Sequence, residues 1–362
     1  MIITYPHMGS LSWLLGALFR EQGIPFISPP PCSKQTLEVG VRYAPQGACL
    51  PMKIVLGNFL EAQKQGADTA LFFGGCGPCR FGYFAAMFQG ICEEWGIPLR
   101  IIALEAPDHD IRELFRRIQD VMGKKARQLP ILIAEGIRAA KALDEAEEIV
   151  GDAKLFLSGQ SEKLQLEHWE QDWRRKAEQA ASLKELRMLA NEAATTWRSN
   201  EPWPEEMVRI GIVGDIYSII EPFVNFQLQR KLADMEVFSR RSITISRWLK
   251  EATVKKLSPL PAAWEKEGGP FLNTSIGGFA KETVGYSAYW SSLHWDGIIQ
   301  VYPLSCMPEI VAQSILPKVS EHYGVPILTL VVDELTGEAG YQTRVEAFVD
   351  MVKRRKRRQI AR

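Results

Sequence analysis

The chain has 362 residues, 46% of them apolar and 24% charged, with 43 basic and 43 acidic side chains. That length exceeds one ordinary core and predicts two domains. The balanced charge excludes a global attraction to nucleic acid or anionic membrane, and no apolar run reaches the ~18–20 residues that span a bilayer. The N-terminus lacks the basic region and cleavage pattern of a secretory signal, so the expected location is cytoplasmic.

In chain order, Met1 to Tyr5 reads as a strand, and Ser10 N-caps a helix from Leu11 to Gln22 that stops at Gly23. Pro25 to Ser28 reads as a second short strand, closed by Pro29-Pro30-Pro31. Helices are expected from Gln35 to Val41 and from Ile54 to Gln65. The apolar run Thr69 to Phe73 is a buried parallel strand, followed by Gly74-Gly75-Cys76-Gly77-Pro78-Cys79-Arg80-Phe81-Gly82 and a helix from Tyr83 to Trp95. A strand from Leu99 to Leu104 and a helix from Asp108 to Met122 complete this half. Strands alternating with helices at this spacing predict an α/β layer with a parallel sheet.

Between Lys124 and Arg198 charges are dense, helical periodicity dominates, and Pro202-Trp203-Pro204 marks the end. A second α/β unit opens at Val208 to Asp215. Its expected elements are a helix from Pro222 to Met235, a strand from Glu236 to Ser239, and a helix after Gly277-Gly278 that ends near Leu293. The strand Gly297 to Tyr302, a helix to His322, the strand Pro326 to Val332 and a last helix from Gln342 to Arg355 follow. The expected architecture is two Rossmann-like parallel-sheet domains, 1–123 and 206–362, joined by a helical connector or cap, 124–205.

The chemistry centres on cysteines. Cys76 and Cys79 sit where a strand hands over to a helix, and helix-start N–H groups favour anions there. Gly77 lets the backbone adopt unusual dihedrals beside them. Cys49, in Ala48-Cys49-Leu50-Pro51-Met52-Lys53, and Cys306, in Ser305-Cys306-Met307-Pro308-Glu309, lie at similar junctions. In a reducing compartment such a pair means metal or redox chemistry more often than a structural disulfide. Iron–sulfur ligation, zinc and thiol–disulfide exchange all use Cys-x-x-Cys; two small thiols lining a turn is the plainer alternative. Cys32 has no partner spacing, and Cys92 reads as core.

Among other polar residues, Lys53 and Arg80 flank cysteines and would stabilise an anionic site, or else are simply exposed. Glu282 reads as a helix cap or a group near the site. Asp215, Glu221 and Asn225 follow a strand on the edge where open sheets bind ligands, although Asn225 also fits a helix surface. Arg344 with Glu346 reads as an ion pair orienting the last helix. The histidines form no metal-ligand spacing and read as structural, with His7, at a strand end, set apart. The run Lys353-Arg354-Arg355-Lys356-Arg357-Arg358 reads as a solvated helix terminus complementing its dipole.

The motifs around Cys49, Cys76–Cys79, Lys281-Glu282-Thr283-Val284-Gly285 and Cys306 together resemble the 2-hydroxyacyl-CoA dehydratase superfamily. Leu328-Thr329-Leu330, Asp333-Glu334-Leu335-Thr336-Gly337-Glu338-Ala339-Gly340 and Gln342-Thr343-Arg344 add to the likeness, which is nearest to the acyl-CoA dehydratase activase-related iron–sulfur proteins. The resemblance implies an oxygen-sensitive [4Fe-4S] cluster held by Cys49, Cys76, Cys79 and Cys306, with Lys53, Arg80 and Glu282 around it. It also implies low-potential electron transfer from a separate ATP-hydrolysing activator, a larger paralogous subunit or a homodimer as partner, and a place as a lyase component or a double-cubane-type reductase. The sequence carries no Gly-x4-Gly-Lys-Ser/Thr loop, so the ATPase would be another chain. A non-catalytic scaffold and a zinc-stabilised binding subunit are the competing readings.

Overall fold

A computed structural model describes residues 1–74, 79–104, 111–157, 159–199, 201–254 and 261–360. It divides into two units, Met1–Leu143 with Arg174–Ala190, and Asp144–Trp173 with Asn191–Arg362. The segment 124–205 thus contributes residues to both.

The first unit begins with strand β1 (Ile3–Thr4) and helices α1 (Leu11–Gln22), α2 (Lys34–Tyr43) and α3 (Leu50–Lys64). Strand β2 (Thr69–Phe72), a 3₁₀ turn over Arg80–Tyr83, α4 (Phe84–Glu94), β3 (Arg100–Ala103) and α5 (Ile111–Met122) follow. The sheet order is β1-β2-β3, all parallel, with Ile3 opposite Thr69 and Thr69 opposite Arg100. Gly23 ends α1 in the left-handed conformation, as its sequence position predicts. Ser10 makes no side-chain cap bond. The stretch Pro25 to Ser28 makes one isolated bridge, Ile3 to Phe26, instead of a strand; the prolines that follow cannot donate to a ladder. Helix α2 starts on a Ser33–Thr36 capping box. It packs on α3 at two glycines: a Cβ on Gly40 would run into the Lys53 carbonyl, and one on Gly57 into the Thr36 carbonyl.

A 3₁₀ turn over Gly123–Gln128 leads into α6 (Leu129–Phe156), then α7 (Gln160–Gln179) and α8 (Leu183–Trp197). Each of these three helices carries residues of both units. In the first unit, Arg20 donates to the Ala180 carbonyl, and the Leu183 N–H donates to Glu21.

The second unit continues with β4 (Val208–Gly214), α9 (Ile216–Ile220), α10 (Leu228–Asp234), β5 (Val237–Arg241), α11 (Ile245–Val254) and α12 (Ala263–Gly268). Then come α13 (Ala280–Ser292), β6 (Gly297–Pro303), α14 (Met307–Tyr323), β7 (Ile327–Val332) and α15 (Glu338–Ile360). The parallel sheet runs β5-β4-β6-β7, and the central β4 and β6 are almost wholly buried. The expected helix from Pro222 to Met235 is broken, because Phe226 and Gln227 adopt left-handed φ values of 50° and 57°. Arg344 does not pair with Glu346: it donates to the Thr329 carbonyl at 2.7 Å, and Glu346 accepts from Gln342. The last helix is therefore tied directly to β7. Among the described residues, no helix is long and apolar enough to cross a membrane.

Candidate functional site

Two sheet edges carry the cysteines. In the first unit Cys49 is the N-cap of α3 and Cys79 the N-cap of the 3₁₀ turn, both with extended backbone and neither with a side-chain cap bond. Pro51 lies in the first turn of α3, where a missing N–H costs nothing. That turn lets the helix begin at Leu50, four residues before its expected start. Cys76 lies outside the described residues.

The segment carrying Cys79 is seated by aromatic packing. Phe81 lies 4.9 Å from Phe72 of β2 and 5.5 Å from Phe84, and Phe88 meets both Phe72 and Phe59 edge-on. Phe81 is half-buried against the fully buried Phe72 and Phe84, so the turn is anchored from below. A polar bond links it to the Cys49 loop, where Arg80 Nη1 donates to the Gly47 carbonyl at 3.2 Å; on the Cys49 side itself, Lys53 Nζ donates to the Gln46 carbonyl at 3.2 Å. Lys53 is only 2% exposed, whereas Arg80 is at the surface. The first unit thus brings the Cys49 and Cys79 segments together beside two cations.

A neighbouring constellation was not legible in the sequence. Asn58 of α3 is fully buried; its Oδ1 accepts the His7 N–H at 3.2 Å, and its Nδ2 lies 3.7 Å from Cys32 Sγ. His7 follows β1 and Cys32 precedes the α2 cap, so residues without any spacing signal meet on one amide. Cys92, by contrast, is core; burial, with Glu93 beside it, pushes its thiol up to about 11.

In the second unit Cys306 is the N-cap of α14, again without a side-chain cap bond, and Pro308 again lies in the first turn. Both helices open on Cys-x-Pro. The residue before the cap, Ser305, has φ 68°, an uncommon conformation outside glycine that turns the chain sharply from β6 into the helix. The Leu304 N–H donates to the Val332 carbonyl at 2.8 Å and fixes this turn to β7.

Behind Cys306 lies an unusual acid. Glu309 is wholly buried; Thr283 Oγ1 is 3.0 Å from each carboxyl oxygen, and Gln300 Nε2 is 3.0 Å from Oε2. Thr329 donates to Gln300 Oε1 at 3.0 Å, so α13 and β6 meet on the carboxyl of α14 and β7 holds the Gln300 amide from behind. Burial pushes Glu309 up to about 8 against the opposing Gln300 and Thr283 bonds, with Asp215 adding to the rise. Asp215 is itself raised by burial although Ser218 donates to it from both backbone and hydroxyl. It caps α9. Asn225 is buried, not on a helix surface, and donates to the Ser218 and Ile219 carbonyls. Glu221 is also buried. Glu282 lies half-buried in the first turn of α13, whose N-cap is Phe279.

No known family profile matches this chain, and no curated protein matches it.

Proposed function

We propose that this chain is an iron–sulfur protein, related to the 2-hydroxyacyl-CoA dehydratases, that receives low-potential electrons from a separate ATP-hydrolysing activator in the cytoplasm. The observation that supports this reading is the shared setting of Cys49, Cys79 and Cys306. Each is a helix N-cap, each is partly exposed, and none spends its sulfur on the cap. A thiolate is the form that ligates metal, and a helix N-terminus lowers the cost of that charge. The donor set, soft sulfurs beside close-approaching backbone, is the one cubane clusters use.

When bound, the cluster supplies a one-electron carrier. The chain's own residues hold negative charge: Lys53, one turn into α3, and Arg80, on the adjoining segment, favour an anionic site over a neutral one. The sequence nominates Cys49, Cys76, Cys79 and Cys306 as ligands, and replacing each in turn by alanine separates them.

The test is anaerobic purification followed by iron and acid-labile sulfide analysis, absorption, and EPR before and after reduction. A brown protein with near-stoichiometric iron and sulfide, lost on Cys76→Ala, is expected. A colourless, iron-free protein from anaerobic cells would overturn the proposal.

A further inference from the structure

We propose that His7 and Cys32 form a binding site for a thiophilic divalent cation of the zinc class, distinct from the cysteine turns. An imidazole nitrogen of His7 and the Cys32 sulfur lie within 4.8 Å of one another. Zinc takes imidazole nitrogen at about 2.0–2.1 Å and thiolate at about 2.3 Å, which places the two donors about 3.6 Å apart in a tetrahedral site. Closing the remaining gap, at most ~1 Å, requires only a side-chain rotation about a soft χ angle.

The support is already rigid. Asn58 is 0% exposed, holds the His7 backbone through its Oδ1 and lies against Cys32 Sγ through its amide. Ser33, the next residue after Cys32, is locked in the capping box of α2. The α2–α3 packing at Gly40 and Gly57 fixes Cys32 relative to Asn58. Outer-shell hydrogen bonds that hold a ligand in place are what metal sites need beyond the ligands themselves. Both donors are partly exposed, so an ion can enter and complete its coordination with water or an oxygen donor.

The site does not depend on the iron–sulfur proposal, because neither residue belongs to the cysteine turns.

The experiment titrates the full chain, treated with a chelator, with cobalt(II), read by sulfur-to-cobalt charge-transfer absorption, and then displaces cobalt with zinc. Iron content is measured in parallel. To silence the turn thiols, the titration is repeated in a Cys76→Ser, Cys79→Ser background. One cobalt per chain is expected in the silenced background, with affinity at least tenfold weaker there in His7→Gln and in Cys32→Ser, and with iron content of the otherwise unaltered chain unchanged by either. Far-UV circular dichroism confirms that each variant is folded, and the two variants give independent readings. Equal cobalt affinity in both variants and the parent would overturn the site, as would a parallel loss of iron on Cys32→Ser, which would move Cys32 into the cluster. An iron-free protein that still binds cobalt through these two residues would leave this proposal standing while the iron–sulfur reading fell.

Discussion

In the first unit Cys49 precedes a helix whose first turn carries a buried lysine; in the second, Cys306 precedes a helix whose first turn carries a buried glutamate. Both helices open on Cys-x-Pro, and both place a sulfur on the positive end of the peptide dipoles. The surroundings differ in sign. Lys53 and Arg80 reinforce the dipole in the first unit, while Glu309 and Asp215 oppose it in the second unless they carry protons. One backbone device is thus set to two different electrostatic values by residues a turn away.

The largest test of that contrast removes the buried acid. Glu309→Leu strands the Gln300 amide and Thr283 hydroxyl without their partner, and unfolding by denaturant should show a loss of about 2–4 kcal/mol. Glu309→Gln keeps the shape and isolates the proton. The native value, raised to about 8, exceeds that of an unfolded glutamate, so the folded state holds the proton more tightly. Its contribution is complete below the unfolded value and is lost as pH rises through about 8. The fall in stability between pH 5 and 8 should flatten in the glutamine variant; an unchanged slope would show that Glu309 is not the group responsible.

Next in size is the scaffold under Cys49. Gly57→Ala forces a Cβ into the Thr36 carbonyl and should cost about 1–3 kcal/mol, measured as a lower thermal midpoint of the first unit. Thiol reactivity then compares the edges directly. In iron-free protein at pH 8, alkylation followed by mass spectrometry should modify Cys49, Cys79 and Cys306 at least tenfold faster than Cys92, whose thiol is pushed up to about 11. Fast labelling of Cys92 would contradict its burial.

The smallest effect lies away from both edges. Arg240 bonds Asp152 at 2.8 Å and meets Glu148 at 3.4 Å, while Arg241 bonds Glu147 at 2.9 Å. Asp144 stands beside them, so four carboxylates face two guanidinium groups. Burial raises Asp144, Glu148 and Asp152. Glu148→Gln should therefore raise stability at pH 7 slightly, by less than ~1 kcal/mol, as a small upward shift in the denaturation midpoint.

The sheets were legible because buried parallel strands print as short apolar runs between glycines, as at Thr69 to Phe72 and Val208 to Gly214. Helices α11 and α12 were missed: in Ile245–Val254 the helical spacing of Ile245, Trp248 and Leu249 runs over only ten residues interleaved with charges, and Ala263–Gly268 is under two turns. The break at Phe226 and Gln227 carries no glycine to announce its left-handed backbone. For the candidate site, the cysteine junctions were visible from strand–turn–helix patterning, but the charges behind them were not. Lys53 fits an exposed helix residue equally well until the Gly40 contact buries its turn. His7 and Cys32 meet only because Asn58 of a third element reaches both, and no local spacing encodes such a meeting.

The division of α6, α7 and α8 between the two units has a consequence for synthesis on the ribosome. The first unit draws on Arg174–Ala190, yet the chain must first deliver Asp144–Trp173, which belongs to the second. Arg20 and Glu21 await the Ala180 carbonyl and the Leu183 N–H. Domains generally fold as units in order of emergence, but here the N-terminal unit stays unfinished until Ala190 has been made. Truncation after residue 123 would leave α1 without those partners, and the cysteine-bearing edge would be built on an incomplete body.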